Sequence, residues 1–225
     1  MSSKPMRFPP GPITNALVII NLVIAFVLLV PIWWQYAVVS GGLFPIRLSG
    51  DNSAFEGVGF LVPAFLTPLS AAFLHGGIMH VLMNMLMLLL IGKMVERVLG
   101  GNLYLGLYLV GAYAAAGTEW FAAVMQWPMS ADMMAPAIGA SGAISAIIGA
   151  YVLLFPNEQP KPWGPVPAQI ARPLHLTIAW VGLNLALGFV GPGLGVDIAI
   201  WSHIGGFVAG LFLARPLLLW RYRKA

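Results

Sequence analysis

The chain has 225 residues, of which 60% are hydrophobic and only 8% are charged. Ordinary globular domains carry about 25% charged residues, so a water-soluble domain is excluded and lipid is the expected solvent. The formal net charge of +4 is interpreted as Lys and Arg retained on one side of a membrane, not as a nucleic-acid surface. The absence of cysteine excludes disulfides, thiolate catalysis and Cys-ligated zinc.

Six apolar runs predict an all-α, polytopic membrane protein with a bundle of six transmembrane helices. Each run is long enough, or nearly so, to cross a core of about 30 Å as a helix of about 20 residues. Residues 1–225 are treated as a single membrane domain without the internal repeat of many transporters. The predicted spans are 13–30, 73–92, 102–126, 138–155, 174–190 and 198–219.

The basic residues orient this predicted bundle. With the N-terminus inside, six spans return the C-terminus to the inside, and ten of the eleven basic residues then lie on the cytoplasmic side. The partition predicts a multi-pass protein with both termini cytoplasmic. The inner set is Lys4, Arg7, Lys93, Arg97, Lys161, Arg172, Arg215, Arg221, Arg223 and Lys224. The outer charged residues are Arg47, Asp51, Glu56, Asp132 and Asp197.

Two connections differ from the rest in composition. Residues 31–72 form a long external connection that is rich in proline, glycine and aromatic residues. Residues 156–173 are rich in proline and predict an extended inner linker.

Polar residues inside the spans collect on three of the six predicted helices. Such residues are costly in lipid and are functional candidates by default. At a rise of about 1.5 Å per residue, four of them reach a similar depth in the middle or outer half of the membrane. These are His80 and Asn84 in the second span, Ser141 in the fourth and His203 in the sixth.

Small residues predict that the fourth and sixth helices pack closely. Gly142 begins a stripe of small residues at steps of four, Ser145 belongs to the neighbouring stripe, and the sixth span contains a GxxxG at Gly206 and Gly210. Small faces of this kind allow transmembrane helices to approach closely. If the two faces meet, Ser141 comes close to the histidine of the sixth span.

Each of these polar residues also has a structural interpretation. Ser141 between small neighbours is compatible with helix packing alone, and His203 with a buried, hydrogen-bonded role. Their matched depth favours a nucleophile and a general base. His80 and Asn84 share a helix face and form either an interhelical clamp or a pair of oxyanion donors. His75 points elsewhere and is assigned a structural or water-binding role.

A metal or cofactor site is not predicted. The spacing of His75 and His80 is not that of HExxH, and no carboxylate lies nearby. Glu119 falls near the outer end of its span, where its side chain is expected to snorkel towards water. Asn184 is interpreted as a polar residue that joins helices.

Four motifs resemble those of the rhomboid family of intramembrane serine proteases. The motifs are "HGGIMHVLMN" (75–84), "ERVLG" (96–100), "GASG" (139–142) and "SHIGG" (202–206). Each falls on the helix where that family has it, and the resemblance covers nearly the whole chain. It implies the basic six-helix bundle of the bacterial type, with a water-filled cavity open to the outside, and a bacterial inner membrane location.

The resemblance also implies roles for individual residues. Ser141 matches the family's nucleophile, and His203 matches its general base in a dyad without an acidic third member. Asn84 and His80 match the side-chain oxyanion donors, which are joined by the backbone N–H of Ser141.

Other matched positions are expected to support the site. Glu96 and Arg97 lie where the family has a charged cluster beside the inner end of the second helix. The segment "GPGLGVD" (191–197) looks like the family's mobile cap over the site, and the fifth helix looks like its side gate. The supporting set is His75, Gly139, Gly142, Ser145, Gly206, Glu96 and Arg97.

Two positions depart from the family pattern. The family often has a Trp-Arg pair in its first loop, where this chain has Leu66 and Thr67, so the loop is either pinned differently or anchored less firmly in lipid. The family usually has an aromatic residue four positions after the nucleophile, where this chain has Ser145. We hypothesise that the Ser145 hydroxyl hydrogen-bonds His203 in place of that stacked ring.

These observations predict a serine-type endopeptidase that cleaves transmembrane segments of membrane proteins in the lipid bilayer, without a cofactor. The alternative is a catalytically inactive rhomboid-like protein that binds membrane clients, against which the presence of Ser141, His203 and Asn84 argues. A channel or transporter is disfavoured because the inner halves of the polar helices are apolar. Nucleic acid is not an expected partner, and neither the substrate nor the oligomeric state is predicted.

Overall fold

The computed structural model describes residues 10–130, 132–155, 162–194 and 198–223. Within these ranges the regular structure is helical, and β-pairing is limited to isolated bridges such as Leu43 with Ala137. The helices are α1 Pro12–Val27, α2 Pro31–Gly41, α3 Pro45–Leu48, α4 Thr67–Ala71, α5 Ile78–Leu99, α6 Gly101–Val124, α7 Ser141–Leu154, α8 Ala168–Val190 and α9 Ile200–Arg221. The all-α prediction is confirmed.

A helix occupies each of the six apolar runs that the sequence marks. Among the described helices, α5, α8 and α9 are long and apolar enough to cross a membrane, whereas α1 and α7 are apolar but shorter. Helix α6 is 24 residues long. The number of membrane crossings therefore stays a prediction.

The second predicted span lies displaced along the chain. Its helix, α5, begins at Ile78, after the pair Gly76 and Gly77, and continues to Leu99 through a π-helical turn. It ends at Gly100, whose φ of +77° is a conformation that favours glycine at a helix C-terminus. Two glycines and the bend before α5 thus set its boundaries, which hydropathy alone does not detect.

The long connection after α1 is folded. Helices α2 and α3 each begin with a proline, which suits the first helical turn because no backbone N–H is needed there. Within α3, a buried Arg47 donates hydrogen bonds to the Val62 carbonyl at 2.6 Å and the Ser40 carbonyl at 3.4 Å. Its Nε donates to Asn52 at 3.2 Å.

Arg47 pins the connection between α1 and α5 through these contacts. Its guanidinium also lies 5.3 Å from the centre of the Phe55 ring, and burial lowers the pKa of Arg47 from its ordinary value. Thr67 is buried, and Leu66 is exposed. Of the two alternatives for this loop, the structure therefore fits the one in which it is pinned differently.

Helices α6, α7 and α9 pack through small residues at the centre of the molecule. A methyl group at Gly206 would overlap the carbonyl oxygen of Gly142, and one at Gly210 would overlap that of Ala146. On the other side, a methyl group at Gly142 would come 2.6 Å from the Cβ of Ala115. The predicted contact between the two small faces is confirmed.

One end of the bundle joins the start of α1 to the ends of α5 and α9. The buried Glu96 carboxylate accepts from the N–H of Ile13 at 2.9 Å and the N–H of Thr14 at 2.8 Å. Such bonds satisfy the unpaired donors of a helix N-terminus. The Tyr222 hydroxyl donates to the Val98 carbonyl at 3.3 Å.

Of the expected charged cluster of Glu96 and Arg97, only Glu96 makes the buried contacts that the described residues show. Glu96 binds the first turn of α1, including the Thr14 hydroxyl at 2.7 Å. Arg97 is exposed and takes no part in those contacts.

The opposite end joins two loops and the start of α9. The Ile46 N–H donates to the Met133 carbonyl at 3.0 Å, so the connection after α1 touches the one after α6. Trp201, at the start of α9, donates from its indole N–H to the Pro128 carbonyl at 3.0 Å. Its ring lies 4.7 Å from that of Trp127.

Candidate active site

Ser141 and His203 meet where α7 and α9 begin. Ser141 is the first residue of α7, and His203 lies in the first turn of α9. The His203 Nε2 is 2.8 Å from the Ser141 Oγ, and both side chains are half-buried. The close packing of the small faces, described above, places these two helix starts side by side.

The other ring nitrogen of His203 contacts Asn184 on α8. The distance between His203 Nδ1 and Asn184 Oδ1 is 2.6 Å. The Asn184 amide nitrogen donates to the Trp180 carbonyl at 2.9 Å, one turn earlier in the same helix. The amide orientation follows, because an oxygen in place of the nitrogen would face a second acceptor. Nδ1 therefore carries the proton, and Nε2 is free to accept one from Ser141.

An aromatic ring also lies beside His203, contributed by α8. The centre of the Trp180 ring is 6.4 Å from that of the His203 imidazole, at an interplanar angle of 40°. Trp180 in turn stacks on Phe207 of α9, with ring centres 6.0 Å apart and an angle of 19°. The imidazole is thus flanked by an aromatic residue from α8 rather than from α7.

The predicted hydrogen bond between Ser145 and His203 is wrong. The Ser145 hydroxyl donates to the carbonyl of Ser141 at 2.7 Å, within α7. Both ring nitrogens of His203 are already engaged, by Ser141 and Asn184. A serine in a helix readily bonds the carbonyl four residues back, and this local bond outcompetes the distant ring.

His80 lies on the other side of the serine. The Gly76 N–H donates to its Nδ1 at 3.3 Å, which leaves the proton of the neutral ring on Nε2. That Nε2 would be 2.6 Å from a Cβ built on Gly139, whose ideal position is also 3.7 Å from the Ser141 Oγ. Gly139 has φ +118°, so both its backbone conformation and the nearby ring require glycine.

Asn84 is buried one turn further along α5. Its amide nitrogen donates to the His80 carbonyl at 2.9 Å. One of its two N–H groups is therefore used within the helix, and the second remains as a donor. Ser141 adds its own backbone N–H, which lacks an intrahelical acceptor because the residue stands at the helix N-terminus.

His75 is buried outside this group. Its carbonyl accepts from the indole N–H of Trp34 at 2.8 Å, which ties α2 to the start of α5. Its ring packs edge-on against His80, with ring centres 5.0 Å apart. These contacts agree with a structural role, in which His75 supports the orientation of His80.

Glu119 does not snorkel as expected. It is fully buried in α6, and its Oε2 accepts from the Ser202 N–H at 2.8 Å. Ser202 immediately precedes His203, so the carboxylate stabilises the N-terminus of the helix that carries the histidine. The hydropathy pattern located Glu119 near a helix end, but it does not tell whether water or another helix lies beside it.

A cavity of about 40 Å³ lies beside Ser141. Its walls are mostly alanine and glycine, so it accepts only a small group. Its lining includes Gly139 and Gly142, which are close to the serine in sequence. It also includes three residues of α6, namely Ala112, Ala115 and Ala116.

Two predicted features reach beyond the described residues. The expected cap, residues 191–197, is described only for Gly191–Leu194, where it forms a 3₁₀ turn, and residues 195–197 lie outside the described ranges. Of the proline-rich linker, residues 156–161 lie outside them as well. The described ranges also leave out Lys4, Arg7 and Lys224.

The fold and the site together define an all-helical integral membrane protein in which three helices bring a serine, a histidine and an asparagine into one hydrogen-bonded series. A family model described as the Rhomboid domain matches residues 64–220, which is more than half of the chain. The chain therefore belongs to the rhomboid family.

Several relatives agree with this assignment. RHOMBOID-like protein 4 of Arabidopsis thaliana is 34% identical over 152 residues, which cover 67% of this chain and 34% of the relative. Rhomboid protease GlpG of Yersinia pestis is 27% identical over 209 residues, covering 93% and 64%. Rhomboid-type serine protease 2 of Emericella nidulans is 29% identical over 161 residues, covering 66% and 25%. The aligned part thus spans between a quarter and two thirds of these relatives.

Proposed function

We propose that this protein is an intramembrane serine endopeptidase in which Ser141 is the nucleophile and His203 the general base. The observation that carries the proposal is the 2.8 Å contact between Ser141 Oγ and His203 Nε2, with a hydrogen-bond acceptor on the opposite ring nitrogen. A serine hydroxyl is a weak nucleophile until an adjacent base removes its proton. Membership of a family with named protease relatives supports the same conclusion.

The first chemical step is attack on a peptide carbonyl. As the Ser141 Oγ bonds to the carbonyl carbon, its proton passes to His203 Nε2, and the imidazole becomes a cation. Negative charge then develops on the former carbonyl oxygen. The His80 Nε2–H, the unused Asn84 N–H and the Ser141 backbone N–H are the proposed donors to that oxygen.

The second step releases the amine and then the acid. His203 gives its proton to the leaving nitrogen as the carbon–nitrogen bond breaks, which leaves an ester on Ser141. A water molecule then attacks this ester while His203 accepts one of its protons, and the serine hydroxyl is restored. The balanced reaction consumes one water for each peptide bond and uses no cofactor.

The substrates proposed are membrane proteins whose transmembrane segment enters the site from the bilayer. The small-walled cavity beside Ser141 fits a small side chain next to the cut bond. Cleavage at such a residue would place a methyl-sized group against the alanines of α6 without displacing the helix.

We also propose that residues 1–225 form one membrane domain with six crossings and both termini in the cytoplasm of a bacterial inner membrane. The contacts at the two ends of the bundle support an even number of crossings. The start of α1 lies with the ends of α5 and α9, whereas the loop after α1 lies with the loop after α6. With the basic residues on the former end, the positive-inside rule gives the orientation.

The test compares the parent with Ser141→Ala, His203→Ala and the double variant in detergent micelles. The substrate is a protein with one transmembrane segment that contains helix-destabilising and small residues. The parent is expected to cleave it, and each single variant is expected to lose cleavage while keeping the parental melting temperature. The double variant should be little worse than either single one, because the pair acts as a unit. Cleavage by Ser141→Ala at the parental rate would overturn the proposal.

An inactive, client-binding rhomboid protein is the alternative, and a chemical probe separates the two. A fluorophosphonate reacts with a serine only when a base activates it. Labelling of the parent but not of Ser141→Ala supports the protease, even if the chosen substrate is a poor one. Absence of labelling, together with co-purification of an uncut transmembrane substrate, would favour the alternative.

A further inference from the structure

Helix α8 has few side chains turned towards the rest of the protein. Of its described side chains, Ala171 and Asn184 are buried, and most of the others are exposed. Asn184 has an exposed fraction of only 2%. A buried amide on a helix that otherwise faces outwards is costly unless both of its polar ends are paired.

Both ends of Asn184 are paired, and the pairing has a direction. The amide nitrogen donates to the Trp180 carbonyl at 2.9 Å, so the oxygen is the end that meets His203 Nδ1 at 2.6 Å. This oxygen can only accept a hydrogen bond. It therefore favours the imidazole tautomer that is protonated on Nδ1 and disfavours the tautomer that is protonated on Nε2.

We propose that Asn184 is a positioning residue that sets the tautomer and the direction of the His203 ring for proton transfer from Ser141. The inference rests on the proposed function, because it concerns the same serine and histidine. It adds a third member to the pair, a neutral amide from a third helix.

The physical effect has two parts. With Nδ1–H held by Asn184, the lone pair of Nε2 points to the Ser141 hydroxyl, so no energy is spent on changing tautomer or rotating the ring. When the imidazole becomes a cation, the amide oxygen dipole stabilises its positive charge. A fixed second partner of an imidazole has comparable importance in metal sites.

Asn184 also compensates for the residue that α7 lacks. Ser145 hydrogen-bonds its own helix, so the ring of His203 has Ser141 but not Ser145 as a hydrogen-bond partner from α7. Asn184 and Trp180, one turn apart on α8, contact the ring and flank it instead. The side chains that orient the histidine ring are thus on α8 and not at position 145 of α7.

The chain offers a matched control in Asn21. Its amide nitrogen donates to the Leu17 carbonyl at 2.8 Å, as that of Asn184 does to Trp180, and it is fully buried in α1. Leucine has nearly the same shape as asparagine but lacks its polar atoms. Asn184→Leu and Asn21→Leu therefore remove the same helical hydrogen bond, and only the first removes a partner of the histidine.

The experiment measures kcat, KM and melting temperature for the full chain in detergent, with Ser141→Ala alongside. Asn184→Leu should lower kcat by about 10- to 100-fold, with KM changed by less than about threefold, as is typical for partners that orient an imidazole. Asn21→Leu should keep the parental kcat. Equal kcat for Asn184→Leu and the parent, with Ser141→Ala inactive, would overturn this inference and leave the proposed function intact.

Asn184→Asp adds a readout that a purely structural role would not change. A carboxylate at this position keeps the acceptor and adds a negative charge that stabilises the His203 imidazolium, so the neutral base is formed at higher pH. The acidic limb of the kcat/KM profile of Asn184→Asp should therefore move to higher pH than that of the parent. His80 on α5 and Glu119 on α6 are the same in the variant and the parent, so they do not cause this shift. Activity well above that limb should be recovered relative to Asn184→Leu. An unshifted limb would contradict the proposed contact.

A spectroscopic measurement tests the tautomer without any turnover. With ¹⁵N-labelled histidine, the chain gives signals from only four residues, and His203→Gln identifies the one of interest. In the neutral parent, Nδ1 should have the shift of a protonated nitrogen and Nε2 that of an unprotonated one. Asn184→Leu should populate the opposite tautomer. The opposite pattern in the parent itself would overturn the inference, whether or not the protein cleaves any substrate.

Discussion

The hydroxyl of Ser141 is an ordinary alcohol whose surroundings give it its proposed reactivity. It begins α7, so it lies at the positive end of a helix dipole and beside a backbone N–H without an intrahelical acceptor. Gly139 on one side and Gly142 on the other remove side chains that would block access to it. The neighbouring glycines therefore serve two needs at once, packing against α6 and α9 and an open approach to the hydroxyl.

The proposed oxyanion donors should affect turnover more than substrate binding. Asn84→Ala and His80→Phe each remove one donor to charge that develops only in the transition state. We expect kcat to fall by about 10²- to 10³-fold for each, with little change in KM. Steady-state kinetics on the purified variants provide the measurement, and Asn21→Ala controls for loss of the amide bond to the helix. A change limited to KM would mean that these residues position the substrate only.

Ser145 should tolerate loss of its hydroxyl better than gain of a ring. Its hydroxyl bonds only the Ser141 carbonyl, so Ser145→Ala should leave kcat within about threefold of the parent and cost less than about 1 kcal/mol of stability. The Ser145 Cβ lies close to Gly206 of α9, because a methyl group built on Gly206 would be only 3.3 Å from it. An aromatic ring at position 145 must therefore push α7 away from α9. Ser145→Phe should lower stability by about 1–3 kcal/mol. Thermal unfolding checks both, and a parental melting temperature for Ser145→Phe would contradict this account.

At the scale of elements, hydrogen bonds hold the connection between α1 and α5 together, alongside buried apolar contacts such as that of Phe44 with Phe55. Arg47 joins backbone carbonyls from two separated parts of the connection, at Ser40 and Val62, and Ser70 joins α4 to the end of α2 through the Gly41 carbonyl at 2.6 Å. Backbone groups that have left a helix and are no longer in water need such partners.

Removal of the Arg47 side chain should loosen that connection. Arg47→Met keeps much of the apolar stem but leaves the Val62 carbonyl without the donor that Arg47 supplies, at an expected cost of about 1–3 kcal/mol. Arg47→Lys should rescue only part, because an ammonium lacks the planar set of donors. Melting temperature and proteolysis within residues 42–66 are the measurements, with the exposed Arg97→Met as the control. Equal protease resistance in the Arg47→Met variant and the parent would show that other contacts hold the loop.

Across the whole molecule, polar contacts gather at two opposite ends, and close packing of small residues lies between them. Glu96 and Tyr222 connect helices at one end, and Met133 and Trp201 connect the loop after α6 to α3 and α9 at the other. In a bilayer this division matters, because only the ends reach water and the charged lipid surface.

The proposed orientation can be tested because the chain has no cysteine. Single substitutions Glu56→Cys and Asp132→Cys should react with a membrane-impermeant maleimide in intact cells, since both side chains are exposed at the end proposed to face outwards. Arg97→Cys and Arg223→Cys should react only after the membrane is permeabilised. Reaction of Glu56→Cys and Asp132→Cys from opposite sides would exclude an even number of crossings between them.

The sequence alone determined the helical class, the presence of a helix in each of the six apolar runs and the convergence of Ser141 with His203. These follow from local properties, since hydropathy is a sum over neighbouring residues and small residues at steps of four mark one helix face. The contact between Ser141 and His203 could be predicted because each helix has a fixed rise per residue.

Only the tertiary structure decided which partner each polar group takes. Asn184 meets His203, Glu119 meets the start of α9, and Arg47 pins a loop, although each pair is separated in sequence and no periodic pattern links its members. The Ser145 hydroxyl donates to the Ser141 carbonyl, four residues earlier in α7, and not to the His203 ring. A buried polar group takes the acceptor or donor that helix rotation and packing bring within about 3 Å, and that geometry belongs to the assembled bundle rather than to any one segment.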